Sequence, residues 1–250
     1  DPHWRNPFDG FSRKPKRPSN PIRRYTDEQI KLVFSSSLYK PKTADKFWVP
    51  LLLFYTGARL TEISQIHVGD VLIDPLPHVK LENLEDEDPV SAKKLKNESS
   101  HRTVPLHRDL IDLGFLEYVA KVRELGKLHV FPNLPHQKPD GVGDLVSRDF
   151  ISRFREYGAN KPESGLDSKS LVTHSLRHTF RNAGHFLKDE TYLKIVMGHY
   201  VPGVSIQIYG KEAYVMPDLL AHKVMNHIEL PSLEIEFLRS QAEYWLKAPC

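Results

Sequence analysis

The sequence predicts a mainly α domain with a small antiparallel β-sheet. Apolar residues recur at helical spacing between Thr26 and Tyr55, and again over most of the chain after His107. Between these parts, over 68–106, short runs of β-type residues are separated by polar and proline-containing turns. Helical patterns on both sides of a few short strands indicate a helical domain that carries one small sheet.

The first three helices follow from local signals. Thr26 and Gln29 form the signature of a capping box, so the first helix should begin directly after Thr26. A second helix should start at Thr43 and end at Gly57, with an almost wholly apolar sequence that suits the centre of the core. A third should open at about Leu60.

The remaining elements are three strands and six helices. The strand candidates are the short runs 71–73, 78–81 and 102–106. Apolar periodicity predicts the helices 107–125, 145–157, 190–197, 216–227 and 233–246, besides a helical run that begins near His174.

The composition excludes several classes of protein. A hydrophobic content of 40% over 250 residues is ordinary for a globular protein, and no apolar run approaches the ~20 residues of a membrane span. We therefore expect no membrane partner. Cys250 is the only cysteine, so an internal disulfide and a zinc cluster are both excluded, and a reducing compartment is natural.

Residues 1–25 are predicted to be a linker, because they carry five prolines and no apolar periodicity. They hold seven basic and two acidic residues, a net charge of +5, whereas the whole chain has a net charge of +3. A basic arm on a near-neutral body suits a polyanionic partner, although a solvated tail would have the same composition. The candidate DNA contacts in this arm are Arg13, Lys14, Lys16, Arg17, Arg23 and Arg24.

The segment 172–211 contains the strongest chemical signal. His174 and Arg177 stand three residues apart at the start of a helical pattern, so their side chains project from one face. His178 follows His174 at a spacing that also suits zinc, but no glutamate follows the first histidine and no cysteine is near. We therefore expect neither a metal nor another cofactor here.

Two further residues of this segment complete the set. The short helix 190–197 should end at Gly198, a residue that suits a helix C-terminus, and His199 follows at once. Tyr209 lies ten residues beyond His199. Each residue alone is more often structural, but two histidines, an arginine and a tyrosine in one compact unit could converge on a single anion.

A second arginine with a carboxylate partner lies far upstream, in the run TGARLTEI. Arg59 falls at a turn near a helix N-terminus, where backbone N–H groups attract anions. Glu62, one turn further on, is expected to pair with Arg59 and fix its guanidinium group. A plain surface ion pair at the same spacing is the alternative.

The ordered runs TGARLTE, HRTVPLH, HSLRH, MGH and IYG resemble the active site of the tyrosine recombinases, the phage-integrase family. The resemblance covers about 22–214, most of the chain. It implies the catalytic-domain fold of that family for residues 26–230. It also implies that a smaller N-terminal core-binding domain precedes the linker in the full gene product.

The resemblance implies a role for each residue of the set. Arg59 and Arg177 would hold the non-bridging oxygens of a DNA phosphodiester, and His199 would donate a hydrogen bond to the same phosphate. Tyr209 would attack the phosphorus as nucleophile, with His174 accepting or relaying its proton. The product would be a 3′-phosphotyrosine link that a second hydroxyl can reseal without metal or ATP.

The family also carries a catalytic lysine in a β-hairpin before the R-x-V-P strand. Lys96 is the best match, and as a general acid it would protonate the leaving 5′ oxygen. Lys93 and Lys94 are close competitors, because the loop 82–100 is long and acidic. The sequence leaves the choice among the three open.

The function that follows is that of a site-specific DNA recombinase or integrase, serving the integration or excision of a phage or other mobile element. Its partners would be double-stranded DNA attachment sites, further copies of itself in a tetramer, and accessory DNA-bending proteins. It would work in the cytoplasm at the nucleoid. The apolar C-terminal helix, 231–250, would either dock on a neighbouring subunit or fold back onto its own domain.

Three other functions fit parts of the pattern. A type IB topoisomerase uses the same chemistry but usually has a lysine in place of His174. A DNA-binding module that has lost its activity would lack at least one of the six catalytic candidates, all of which are present. A hydrolase of another substrate class would need metal ligands or a serine nucleophile motif, and neither is seen.

Overall fold

Helix α2, Ala44–Thr56, forms the centre of the core, as its apolar sequence predicts. The computed structural model describes residues 21–84, 92–95, 100–137, 141–187, 189–201 and 216–248. The chain is mostly helical with one small antiparallel sheet, which confirms the predicted fold class. The elements are α1 (Asp27–Val33), α2, α3 (Leu60–Ser64), β1 (Val71–Leu72), β2 (His78–Leu81), β3 (Arg102–Pro105), α4 (Arg108–Asp112), α5 (Phe115–Glu124), α6 (Asp144–Asn160), α7 (Ser175–Ala183), α8 (Glu190–Met197), α9 (Pro217–Leu220) and α10 (Ile235–Lys247).

The end of α2 fixes the position of α7. Nearly every residue of α2 is buried, and α3, α6 and α7 pack around it. Gly57 ends the helix in the left-handed conformation, at φ 62°. A Cβ atom at this position would lie 2.4 Å from the Phe180 ring, so only glycine allows α7 to approach so closely. This contact brings Arg177 of α7 beside the carbonyl of Gly57.

The three strands pair in the order β1-β2-β3, all antiparallel. Val79 of β2 pairs with Val71 on one side and with Val104 on the other. The predicted strands are confirmed, with β1 and β3 each one residue shorter at the C-terminal end than expected. All four residues of β3 are buried, including Arg102, and this strand packs against α8 and α9.

The prediction of one continuous helix over 107–125 is wrong. The segment forms two helices, α4 and α5, because Gly114 adopts the left-handed conformation between them, at φ 89°. The break turns the chain so that Leu110, Leu113 and Phe115 are all buried. One straight helix could not direct that many neighbouring side chains into the core.

The C-terminal part folds onto its own chain. The helix predicted over 216–227 is the short α9 followed by a π-helical turn, Ala221–Met225. Helix α10 packs against α5, with Leu238, Ala242 and Trp245 buried. In this single chain the last helix therefore packs on its own domain, and docking on a neighbouring subunit stays a prediction.

Three buried histidines lie together where His67 and His129 form an isolated β-bridge. The rings of His129 and His136 stack with centroids 3.5 Å apart, and the His67 ring meets that of His129 edge-on at 4.7 Å. Nε2 of His136 is 2.8 Å from the carbonyl oxygen of Phe131. Burial lowers the pKa of both His67 and His136, and the positive charge of Lys93 lowers that of His67 further. Both rings are therefore neutral at pH 7.

We expect the free energy of unfolding to fall as the pH is lowered from 7 towards 5. In the unfolded chain a histidine binds a proton near pH 6.5, whereas in the folded chain the lowered pKa values of His67 and His136 move protonation to a lower pH. The unfolded state then binds more protons, so the stability present above pH 6.5 is lost as the pH falls. Urea unfolding across this range measures the slope. His136→Gln should flatten it, and an unchanged slope in this variant would contradict the assignment.

Within the ranges that the structure describes, no helix combines the length and the apolar character needed to cross a membrane.

Candidate active site

Arg59 is held at the start of α3 by Glu62. The backbone N–H of Arg59 donates to Oε2 of Glu62 at 2.8 Å, and its Nη1 donates to Oε1 at 2.5 Å. The Glu62 side chain is only 1% exposed, whereas that of Arg59 is 20% exposed. The pair is therefore not a surface ion pair: the carboxylate is buried and the guanidinium group reaches from it towards solvent.

Arg102 is a second partner of the same carboxylate, although no role for it follows from the sequence motifs. Its Nη2 donates to Oε2 of Glu62 at 2.8 Å, and its side chain is 2% exposed. Burial alone would raise the pKa of Glu62, but the charges of Arg102 and Arg59 and their hydrogen bonds lower it to about 2. Glu62 is therefore ionised at every working pH.

Arg177 lies on α7 and is almost fully buried, at 4% exposure. Its Nη1 donates to the carbonyl of Gly57 at 2.5 Å and its Nη2 to the carbonyl of Met197 at 2.6 Å. Burial, and then the positive charges of Arg59 and Arg102, lower the pKa of Arg177 to about 9. The guanidinium group still carries its charge at neutral pH.

The three arginines meet at the C-terminal end of α8. Three consecutive carbonyls each accept one of them: that of Val196 from Arg102 Nε at 2.7 Å, that of Met197 from Arg177, and that of Gly198 from Arg59 Nη2 at 3.2 Å. The end of a helix carries partial negative charge, which favours cations there. With Glu62 as their carboxylate partner, the cluster keeps a net charge of two positive units.

His199 follows this turn directly and is half-buried. Burial, and then the positive charges of Arg177 and Arg181, lower the pKa of His199 to about 4. The ring is therefore neutral at pH 7 and can donate one N–H. A pKa lowered by surrounding cations also indicates a positive potential at this point, which would attract an anion.

His174 lies at the N-terminal end of α7 and is exposed. It lines a cavity of about 190 Å³ together with Arg177 and Ala58. Its ring meets that of His178 nearly at right angles, with centroids 5.1 Å apart. The structure thus brings four of the six catalytic candidates to one region, namely Arg59, His174, Arg177 and His199.

The other two catalytic candidates, Lys96 and Tyr209, lie outside the described residues, as do four of the candidate DNA contacts, Arg13, Lys14, Lys16 and Arg17. Comparison with family models, with curated proteins and with solved structures found no match.

Lys93, one of the two alternatives to Lys96, forms an ion pair with Asp70. Its Nζ lies 2.7 and 2.8 Å from the two carboxylate oxygens of Asp70, and the side chain is 4% exposed. Lys94 is exposed, and its backbone is held by both ends of the Gln65 amide. Lys93 therefore ties the hairpin to the domain, which leaves Lys94 and Lys96 as the remaining lysine candidates.

A basic cleft of about 430 Å³ opens beside the arginine cluster, between α7 and α8. His199 and Met197 form part of its wall, so it is continuous with the candidate site. Its charged and titratable lining consists of Arg24, Arg181 and Lys194, the histidines His178, His185 and His199, and one carboxylate, Glu190. Arg24 comes from the predicted basic arm, and Arg23 beside it is exposed.

In the described part of the chain, no group of three or more histidine, cysteine, aspartate or glutamate side chains is placed to hold a metal ion.

Proposed function

We propose that the chain is a DNA strand transferase of the tyrosine recombinase type. It would act as a site-specific recombinase or integrase for a phage or other mobile element. The observation that carries this proposal is the meeting of Arg59 and Arg177, from distant parts of the sequence, on neighbouring carbonyls of one turn. The catalytic-domain fold of that family for residues 26–230 is part of the proposal.

The charge of the cluster favours a phosphodiester as the ligand. Two fixed guanidinium groups can hold two non-bridging oxygens, and both stay charged at working pH. Buried cations without matching carboxylates are costly, so a net positive cluster beside solvent suits an anionic substrate. The adjoining basic cleft provides further positive charge for the DNA backbone on one side of that phosphate.

The proposed reaction breaks one bond as it forms another. The Tyr209 oxygen bonds to phosphorus and gives its proton to His174, while the bond from phosphorus to the 5′ oxygen breaks. That oxygen takes a proton from Lys96 or Lys94 and leaves as a hydroxyl. His199, neutral at pH 7, donates its N–H to a phosphate oxygen. Religation reverses these steps with a second 5′ hydroxyl, so no external energy source is needed.

The proposed partners are double-stranded attachment sites, other copies of the chain in a tetramer, and DNA-bending proteins, with the nucleoid as the place of action. Helix α10 packs on α5 of its own chain in this structure. Docking in trans would therefore require α10 to leave α5 and uncover Leu238 and Trp245.

A nicked suicide duplex tests the proposal. The probe is a pool of such duplexes with a randomised central sequence. After cleavage the short strand with the 5′ hydroxyl diffuses away. Religation is then impossible, so the covalent protein–DNA complex accumulates. We expect a protein–DNA adduct that survives denaturing electrophoresis and is destroyed by protease. Sequencing the trapped strands would give the target. A pool that is bound but never trapped would overturn the proposed chemistry.

The general acid can be identified with a 5′-bridging phosphorothiolate, because a sulfur leaving group needs no proton. We expect one of Lys96→Ala and Lys94→Ala to lose cleavage of normal DNA by about 10²- to 10⁴-fold and to regain it on the sulfur substrate. Lys93→Ala should not be rescued, since it leaves Asp70 buried without its ammonium partner and acts on stability. Rescue of Lys93→Ala alone would contradict this assignment.

A further inference from the structure

Arg102 lies beside the candidate site with all three side-chain nitrogens hydrogen-bonded. Its three nitrogens donate to three different segments: Nε to the carbonyl of Val196 at 2.7 Å, Nη1 to the carbonyl of Ser100 at 2.7 Å, and Nη2 to Glu62 at 2.8 Å. Its whole guanidinium group is thus committed to protein acceptors, and the side chain is 2% exposed. Any role in the reaction must act through its neighbours.

The carboxylate of Glu62 is shared between two arginines. Oε1 accepts from Arg59 Nη1, and Oε2 accepts from Arg102 and from the backbone N–H of Arg59. Without Arg102, the whole charge of Glu62 would act on Arg59, and the cluster would fall from two net positive units to one. Arg102 thus takes up part of the negative charge that would otherwise neutralise Arg59.

The same side chain also fixes the turn before His199. Gly198 has φ 66°, and a Cβ atom there would lie 2.8 Å from Nη1 of Arg102. The guanidinium group of Arg102 therefore packs directly on the turn whose last carbonyl accepts from Arg59. Strand β3, helix α3 and the end of α8 are held together at one point.

We propose that Arg102 is a positioning residue that keeps Arg59 positively charged and aimed at an anion, by sharing Glu62 and by bracing the turn at Val196 and Gly198. The effect on DNA cleavage rests on the proposed function. The effect on anion binding does not, because it depends only on the charges and contacts of the cluster.

The test measures binding of orthovanadate, a phosphate mimic, by NMR titration at fixed ionic strength. Arg102→Met should weaken binding by about tenfold, since one buried positive charge close to the anion is lost. Adding Glu62→Gln to Arg102→Met restores the net charge and should restore most of the affinity. If Arg102 only braced the structure, the double variant should bind vanadate more weakly than Arg102→Met, because it loses two buried ionic partners.

Lys93→Met is the matched control. It breaks a buried ion pair in the same hairpin, that with Asp70, without touching Glu62, so it should lower stability and leave vanadate affinity unchanged. Arg102→Lys, which keeps the charge but not the fork, should bind more tightly than Arg102→Met. Wild-type affinity in Arg102→Met, or a double variant that binds no better than the single one, would overturn the proposal.

If Arg102→Met does not fold, Arg102→Gln takes its place, because glutamine keeps a polar group on the side chain but removes its positive charge. It should weaken vanadate binding by about tenfold, and wild-type affinity in this variant would overturn the proposal. A wild-type chain that binds vanadate as expected but traps no DNA would refute the recombinase function and leave the role of Arg102 standing.

Discussion

Replacing Tyr209 by phenylalanine should abolish the covalent protein–DNA adduct completely and leave DNA binding within about twofold of wild type. The substitution removes one oxygen, and no other group of the proposed site can form a phosphotyrosine in its place. An unperturbed tyrosine has a pKa near 10, so the reaction also requires a site that removes its proton and stabilises the phenolate. The neighbouring arginines and His174 supply both functions in the proposed mechanism.

Two other tyrosines serve as controls for this result. Tyr200 directly follows His199 and is 70% exposed, and Tyr214 lies five residues after Tyr209 in the sequence. Tyr200→Phe and Tyr214→Phe should both form adducts at the wild-type rate. The measurement is single-turnover trapping on the suicide duplex, followed by peptide mapping of the attached strand. An adduct that persists in Tyr209→Phe and maps to Tyr200 or Tyr214 would move the nucleophile there.

Elements with strong signals at both ends could be predicted from the sequence to the residue. Helix α8 spans the predicted 190–197, because Asp189 caps its first turn and Gly198 ends it in the left-handed conformation. The capping box of Thr26 and Gln29 is likewise formed at the start of α1. The break at Gly114 was missed, because a glycine inside an amphipathic pattern is compatible with either a continuous helix or a turn.

The candidate site was predictable where two partners lie close in sequence and not where they lie far apart. The pair Arg59 and Glu62 follows from i,i+3 spacing. The contact of Arg102 with Glu62 joins a strand to a helix forty residues away, and spacing carries no information at that distance. One signal was available: an arginine within the apolar strand RTVP needs a carboxylate partner if that strand is buried.

Sequence alone was also insufficient to choose among the three neighbouring lysines. Lys93, Lys94 and Lys96 are nearly equivalent in the sequence, and only the fold separates the first two. The main-chain pairing of Leu84 with Lys93 turns the Lys93 side chain towards Asp70 and the Lys94 side chain towards solvent, since successive side chains point to opposite faces.

Replacing Arg177 by lysine should lower the rate of DNA cleavage by about 10²- to 10³-fold, the cost of removing one preorganised donor from a site of developing charge. Arg177 spans the carbonyls of Gly57 and Met197 with two different nitrogens, and an ammonium group cannot reproduce that fork. One buried carbonyl would lose its donor, at a cost of about 1–3 kcal/mol in the free energy of unfolding. Cleavage must therefore be measured at a temperature where both proteins are folded.

The matching control is Arg181→Lys, because Arg181 lies one turn further along α7 but is exposed in the basic cleft. A lysine there keeps the charge that a DNA backbone contact uses, so binding and cleavage should stay within about threefold of wild type. Arg59→Lys should behave like Arg177→Lys, since the ammonium cannot reach Glu62, Ser100 and the carbonyl of Gly198 together. The contradicting outcome is that Arg59→Lys and Arg177→Lys slow cleavage no more than Arg181→Lys. Positive charge alone would then suffice, and the proposal that the two guanidinium groups hold the phosphate by their geometry would be wrong.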